Sequence, residues 1–211
     1  PTLTVYDSNQ NQIAMNDDWF TSPDAETIAS FHLDPANSRE SALYLTLQPG
    51  AYTAVVQSFS SPESPPSTGL GLFELYDLST SGGRAGNIST RGQVLGGDNV
   101  LIGGVIIGGT DPKTVIVRAI GPSLGAAGVA NPLSDPALDL HDSDGAIVQS
   151  NDDWQQGADA QLITEANLAP ANAKEAALFA TLNPGAYTAI VTGVGGVTGV
   201  ALVEVYDTSP A

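Results

Sequence analysis

The sequence predicts an all-β protein built from antiparallel β-sandwich modules in tandem. Glycine and proline are abundant (23 and 14 residues), short stretches alternate apolar and polar residues, and long helical periods are scarce. The chain also repeats itself, because residues 1–56 align without a gap with residues 136–191 and about half of the positions are identical. Such a repeat indicates one supersecondary unit used more than once, and we expect sandwiches of the jelly-roll or immunoglobulin-like type.

Two blocks mark the repeat most clearly. The motif Asn-Asp-Asp-Trp occurs at residues 16–19 and again at 151–154, and the match resumes over residues 68–77 and 198–207 after a short insertion in the first copy. Only the second copy is preceded by an apolar stretch. The first copy is therefore expected to lack its leading strands.

Candidate strands follow in order along each copy. Thr2–Tyr6 and Gln12–Met15 flank a short polar turn and predict an antiparallel pair. Ser41–Leu47 alternates, and residues 52–56 return after a Pro-Gly turn, which predicts a hairpin. Residues 70–76 predict a closing strand.

One short helix is predicted in each copy. Ser22 is a candidate N-cap and Pro23 fits the first helical position, leading into Asp24–Phe31. The second copy has Gly157 and Ala158 at the capping positions, so we do not expect the capping chemistry to be shared.

The region between the copies has a different character. Residues 79–86 are typical of a flexible linker. Three strands are predicted after it, over Ile88–Val94, Val100–Ile107 and Thr114–Ile120. The second of these is almost entirely apolar and punctuated by glycines, so we expect it to be buried on both faces or packed against another backbone.

Two domain divisions are compatible with these patterns. Each copy could be a complete small sandwich joined by a separate β connector over residues 87–135. Alternatively, residues 87–207 form one complete sandwich, residues 1–78 form a partial one, and residues 79–86 link them. We favour the second division because the apolar strand predicted over Val100–Ile107 must be buried against other strands. The chain opens inside a repeat, so we also expect residues before Pro1 that were removed by processing or lie outside this sequence.

Charge and composition exclude several function classes. The chain has 23 acidic residues against six basic ones, a formal net charge of −17, and no cysteine. Such a surface repels nucleic acid and anionic membranes, and no apolar run is long enough to span a bilayer. It suits cations, a salty medium or high solubility, but the explanation we favour is that the acids solvate the outer faces of the sheets.

Acidic turns are the candidate metal site. Carboxylate and amide oxygens clustered on turns are suitable ligands for calcium, although the spacing is not that of an EF-hand. The alternative is that these side chains cap their own turns, which we favour. The candidate ligands are Asp7, Asn9, Asn16, Asp17, Asp18, Asp142, Asp144, Asn151, Asp152 and Asp153.

Trp19 and Trp154 directly follow the acidic motif in both copies. A tryptophan there could stack on a sugar, but its recurrence favours a core anchor whose indole N–H finds an acceptor. Glu74 and Glu204 lie in otherwise apolar closing strands, and the equivalent residues Arg39 and Lys174 are their expected ion-pair partners.

One motif formally matches a hydrolase nucleophile elbow. Residues 121–125 have the pattern Gly-x-Ser-x-Gly after a predicted strand, but the following residues are a poor helix and His141 is the only histidine downstream. A glycine-rich turn is favoured, and we expect no enzyme and no required cofactor.

Three sequence blocks before the second copy carry a resemblance to a known type of repeat module: residues 87–92, 97–104 and 117–124. Together with residues 201–207, they resemble a repeat module of large secreted proteins from environmental bacteria of the Verrucomicrobia type. The acidic turn and Asn-Asp-Asp-Trp half is similar, more loosely, to bacterial pre-peptidase C-terminal domains. That resemblance implies β-sandwiches appended to secreted enzymes, some of which bind calcium.

These observations favour a secreted structural subunit at the cell surface. A partial first copy would expose strand edges, which are templates for pairing with another chain, and a head-to-tail contact of this kind gives a filament. We expect copies of itself as partners. The expected assembly strand contains Val100, Leu101, Ile102, Val105, Ile106 and Ile107. The alternative is a non-catalytic accessory module that binds surface glycans or calcium, and a third arrangement has the middle segment serving both copies within one chain.

Overall fold

A computed structural model describes residues 1–63, 65–79 and 85–209. The chain forms two compact units, Pro1–Gly83 and Arg84–Ala211. The fold is all-β, with antiparallel sheets and short helices. Among the described residues, no helix combines the length and the apolar character needed to cross a membrane.

The first unit contains one three-stranded antiparallel sheet. Its strands are β1 (Thr2–Tyr6), β2 (Gln12–Asn16) and β3 (Thr53–Gln57), in the order β2-β1-β3. The pairing of β1 with β2 across the Asp7 turn confirms the first predicted strand pair. The 3-10 turn Trp19–Thr21 and the helix α1 (Ala25–Ser30) follow β2.

The second unit is a complete sandwich of two four-stranded antiparallel sheets, in the orders β5-β10-β7-β8 and β4-β11-β6-β9. Its helix α2 spans Ala160–Glu165. The strands are β4 (Asn87–Val94), β5 (Leu101–Ile107), β6 (Lys113–Ile120), β7 (Pro136–His141), β8 (Ile147–Asn151), β9 (Ala176–Leu182), β10 (Gly185–Gly193) and β11 (Gly199–Asp207).

The core of the second unit lies between these sheets. Alternate side chains of β6, β7, β9 and β11 are fully or almost fully buried and form one apolar cluster. The sheets approach closely at Gly103, where a Cβ atom would lie 2.9 Å from Cγ1 of Val203. The three predicted strands before the second copy therefore all belong to this sandwich.

The predicted hairpin of residues 41–47 and 52–56 is wrong in both copies. In the second unit, β9 and β10 follow each other across residues 183–184 but belong to different sheets. Both strands point alternate apolar residues at the same core, so the tight connection crosses from one sheet to the other. In the first unit, residues 41–48 and 70–78 form no strand, contrary to the sequence prediction.

The expectation that β5 is buried on both faces is also wrong, and its alternative, packing against another backbone, does not hold at Gly103, which faces the Val203 side chain. Within the described residues, β5 is an edge strand that pairs only with β10, and its outward residues are exposed. Leu101 and Ile107 are buried, but Ile106 is 74% exposed. The glycines of β5 allow close approach on one face only.

The helices are shared by both copies, but their predicted cap is wrong. Asp24 occupies the N-cap of α1, and its equivalent Asp159 occupies the N-cap of α2. Ser22 instead accepts a hydrogen bond from the Asp24 backbone N–H at 3.2 Å, within the preceding turn. The predicted linker over 79–86 lies outside the described residues except at 79, 85 and 86.

Candidate assembly surface

The first unit repeats one sheet of the sandwich without its outermost strand. The sheet β2-β1-β3 corresponds to β8-β7-β10 of the second unit. In the second unit β10 pairs with β5 on one side and β7 on the other, whereas β3 pairs only with β1. The edge of β3 that corresponds to the β5 contact therefore carries backbone groups with no strand partner among the described residues.

The apolar residues of the missing second sheet are present but uncovered. Leu47 is 42% exposed and its equivalent Leu182 is 2% exposed, while Leu75 is 56% exposed and its equivalent Val205 is 5% exposed. Further exposed apolar side chains on these segments are Leu45, Leu70 and Leu72. A set of equivalent residues is thus core in one copy and surface in the other, which is the pattern of a sandwich without its second layer.

The second unit shows what normally covers this face. β6 lies between β9 and β11 and pairs with both. Arg118 on β6 donates through Nε to Glu204 Oε2 at 2.9 Å and through Nη2 to the Tyr206 hydroxyl at 3.0 Å. Burial, followed by the hydrogen bond to Glu204, raises the pKa of Tyr206.

The first unit keeps the acceptor half of this network. Glu74 and Tyr76 are the equivalents of Glu204 and Tyr206, and the Tyr76 hydroxyl donates to Glu74 Oε1 at 3.0 Å. This bond raises the pKa of Tyr76. No basic side chain pairs with Glu74 in the part of the chain that the structure describes.

The expected ion pairs of Glu74 with Arg39 and of Glu204 with Lys174 are wrong. Glu204 pairs with Arg118 because the register of β6 and β11 places these two residues opposite each other. Lys174 pairs with Asp135, and this hydrogen bond raises the pKa of Lys174.

A second buried acid explains the Gly-x-Ser-x-Gly motif. Glu175 is fully buried, and its Oε1 accepts from the backbone N–H of Gly121 at 3.2 Å and of Ser123 at 2.9 Å. The Ser123 hydroxyl donates to the same oxygen at 2.5 Å. The serine therefore fixes a loop to the core, as the favoured turn interpretation implies.

The equivalent acid of the first unit lacks these donors. Glu40 holds its turn as Glu175 does, because its backbone carbonyl accepts from the Trp19 N–H and its Oε2 accepts from the Asn37 N–H at 3.3 Å. Within the described ranges, no protein group donates to Glu40 Oε1, and the residue is exposed. Glu40 and Glu74 are thus the equivalents of two acids, Glu175 and Glu204, whose donors Ser123 and Arg118 lie in the segment before the second copy.

The predicted assembly strand lies mostly in β5. Leu101, Ile102, Val105, Ile106 and Ile107 belong to the strand, whereas Val100 lies just before it. Ile102 and Ile106 point outward and are exposed. No strand in the described part of the chain pairs with the edge of β5 that faces away from β10.

The predicted metal ligands hold their own turns. Asp7 Oδ1 accepts from the Asn9 and Asn11 backbone N–H groups, and Asp142 Oδ1 accepts equivalently from Asp144 and Ala146. The hydrogen bonds from Asn11 lower the pKa of Asp7. These bonds engage oxygens that a cation would need.

The remaining acidic-motif residues lie around the following turn. The Asn16 side-chain oxygen accepts a hydrogen bond from the Ala42 backbone N–H. Asn151 accepts one from the Ala177 N–H in the same way. Over residues 1–63, 65–79 and 85–209, no three His, Asp or Glu side chains are grouped to hold a metal. Asp17, Asp18, Asp152 and Asp153 are thus not brought together into a ligand set.

The two tryptophans are core anchors. Trp19 and Trp154 are buried, and their indole N–H groups donate to the carbonyl oxygens of Asn37 and Asn172 at 3.2 and 3.1 Å. This geometry agrees with the favoured core-anchor interpretation, whereas sugar stacking stays an untested alternative.

Sequence reasoning missed Arg118, Glu40 and Glu175. Arg118 could have been found as the one basic residue inside an apolar stretch of strand, opposite an acid in a neighbouring strand. The pair Glu40 and Glu175 could have been found because both copies retain the acid while only one is preceded by a Gly-Pro-Ser loop.

No protein-family model matches the chain, and no curated protein matches it. Similar solved structures include the pre-peptidase C-terminal domain of a collagenase from Bacillus anthracis, with 14% identity and a TM-score of 0.36. The match covers 56% of this chain and 88% of that domain. It is the type of domain that the looser sequence resemblance named, whereas the resemblance to the environmental repeat module stays an expectation.

Proposed function

We propose that this protein is a non-enzymatic, extracellular structural subunit that assembles head-to-tail by β-strand complementation of its first unit. The observation that carries the proposal is the open β3 edge, whose counterpart β10 is paired with β5 in the complete sandwich. Unpaired edges beside exposed apolar side chains favour strand addition from another chain.

The donor in this proposal is the free edge of β5 in a second copy. β5 keeps its pairing with β10 and offers its other edge to β3 of the neighbour, so that one sheet continues across the contact. The outward side chains Ile102 and Ile106 lose water at such a contact, which favours association. Donor and acceptor are different surfaces, so the contact does not close on itself and gives a filament.

Negative-stain electron microscopy and light scattering of the full chain test the proposal. We expect filaments for the native chain and shorter or no filaments for Ile106→Lys, because a charge on an edge strand opposes pairing. Val148→Lys is the matched control, since Val148 is exposed on β8 at the other edge of the same sheet. It should leave the filaments unchanged.

Two results would overturn the proposal. One is a monodisperse monomer at all concentrations, and the other is equal loss of filaments in both lysine variants. In the first case, titration with calcium and with glycans would distinguish an accessory binding module from an inert spacer.

A further inference from the structure

We propose that the first unit has a second acceptor site, a gap between residues 41–47 and 70–77 that receives a β6-type strand of a partner polypeptide. Glu74 recognises an arginine of that strand, and Glu40 recognises the Gly-Pro-Ser loop that follows it. This inference rests on the proposed strand complementation and names the donor by its chemistry.

The strand order of the complete sandwich defines the gap. β6 is the strand between β11 and β9, and residues 70–77 and 41–47 are the equivalents of those two neighbours. Without a strand between them they form no sheet in the first unit. One inserted strand therefore satisfies two edges at once, whereas the β3 edge accepts only one pairing.

The register places the recognition groups. Arg118 lies opposite Glu204 on one side and opposite Ala177 on the other. The equivalent positions of the first unit are Glu74 and Ala42. A donor arginine in this register therefore faces Glu74, whose neighbour Tyr76 already donates to it as Tyr206 does to Glu204.

The loop after the strand supplies the second contact. Ser123 lies five residues after Arg118, and its N–H and hydroxyl both donate to Glu175. Glu40 has the same turn geometry as Glu175, and its Oε1 is open to solvent. An arginine followed five residues later by serine is thus the spacing that the first unit fits.

Net charge favours the same donor. Residues 1–78 contain ten acidic residues and one arginine, while residues 113–124 contain Lys113, Arg118 and no acidic residue. The partner strand therefore meets a surface of opposite sign, which favours encounter and register. The chain's own β6 is held between β9 and β11, so the donor is an additional segment of the same type.

A labelled peptide tests this inference on the full chain. The probe is a fluorescein-labelled peptide with the sequence of residues 113–124, and its binding is followed by fluorescence anisotropy. We expect saturable binding that weakens at least about tenfold in Glu74→Gln, because a charge-assisted hydrogen bond is lost. Glu63→Gln is the matched control, since it removes the same charge from another exposed position of the unit.

Two further measurements locate the site. A peptide with glutamate in place of Arg118 should bind poorly to the native chain and regain affinity for Glu74→Arg. Photo-crosslinking should attach the peptide to residues 41–47 or 70–77. Crosslinks to β9 or β11 instead would overturn the inference, because they would mean exchange with the chain's own β6.

The outcomes for the two proposals are distinguishable. Absence of peptide binding, or equal loss in Glu74→Gln and Glu63→Gln, overturns the second acceptor site whether or not filaments form. Peptide binding by a chain that forms no filaments supports the second acceptor site and overturns self-assembly through the β3 and β5 edges.

Discussion

Arg118 Nη2 lies 2.5 Å from Glu204 Oε2, and both side chains are largely buried between β6 and β11. The guanidinium also lies 5.0 Å from the Tyr206 ring and donates to the Leu168 carbonyl at 2.8 Å. The arginine thus ties the central strand of one sheet to its neighbour and to the loop after α2. In the first unit, the equivalent Glu74 is exposed.

Replacement of Arg118 should strongly destabilise the second unit. Arg118→Ala leaves the Glu204 carboxylate buried without its cation, which costs about 3–5 kcal/mol. Urea unfolding followed by Trp154 fluorescence, in a Trp19→Phe background, measures the change. Arg91→Ala is the control, because Arg91 is exposed on β4 and should change stability by less than about 0.5 kcal/mol. Similar effects of the two variants would contradict the assignment.

Ser123→Ala should lower stability because it removes a hydroxyl donor from the buried Glu175 carboxylate. We expect a loss of about 1.5–3 kcal/mol, the range for hydrogen bonds to charged groups. The same urea titration measures it, and Ser143→Ala in an exposed turn is the comparison. An unchanged unfolding midpoint for Ser123→Ala would show that the loop does not depend on this bond.

The tryptophans should affect stability rather than ligand binding. Trp154→Ala removes a buried ring and the indole bond to Asn172, for an expected cost of about 3–5 kcal/mol in the second unit. Thermal unfolding measures the loss, and Trp154→Phe should recover part of it by refilling the site. If a glycan array shows binding that disappears in Trp154→Phe while stability is kept, the core-anchor role is wrong.

The Asp7 turn should weaken in acid. Hydrogen bonds from Asn11 lower the pKa of Asp7 in the folded unit, so this stabilisation is present above the unfolded pKa and is lost as pH falls through the folded pKa. Carboxyl NMR titration should show the Asp7 pKa rising in Asn11→Ala. Asn183→Ala, in the loop between β9 and β10 of the other unit, should leave it unchanged. An unmoved Asp7 pKa in Asn11→Ala would contradict this cause.

The local pattern of the chain was predictable because it depends on neighbouring residues. Alternation predicted β4, β5 and β6 to within one residue at every end, and the repeat predicted a short helix in each copy. The preference for core over sugar stacking at Trp19 followed from the same repetition.

The partners of the charged residues were not predictable from spacing. Glu204 is 86 residues from Arg118 along the chain, and only the order β11-β6-β9 brings the two together. The same holds for Glu175 and Ser123, which meet because a loop after β6 folds over the turn before β9.

The sequence by itself determined most of the strands, their apolar faces and the internal repeat, because these follow from alternation, turn chemistry and self-similarity along the chain. Only the tertiary structure decided which sheet each strand joins and that β5 is an edge. It also showed that Glu204 and Glu175 receive donors from the segment before the second copy, whereas their equivalents Glu74 and Glu40 have no such donors in the described part of the first unit. Strand neighbours are selected by packing over the whole sandwich, which is a property of distant segments together and of no segment alone.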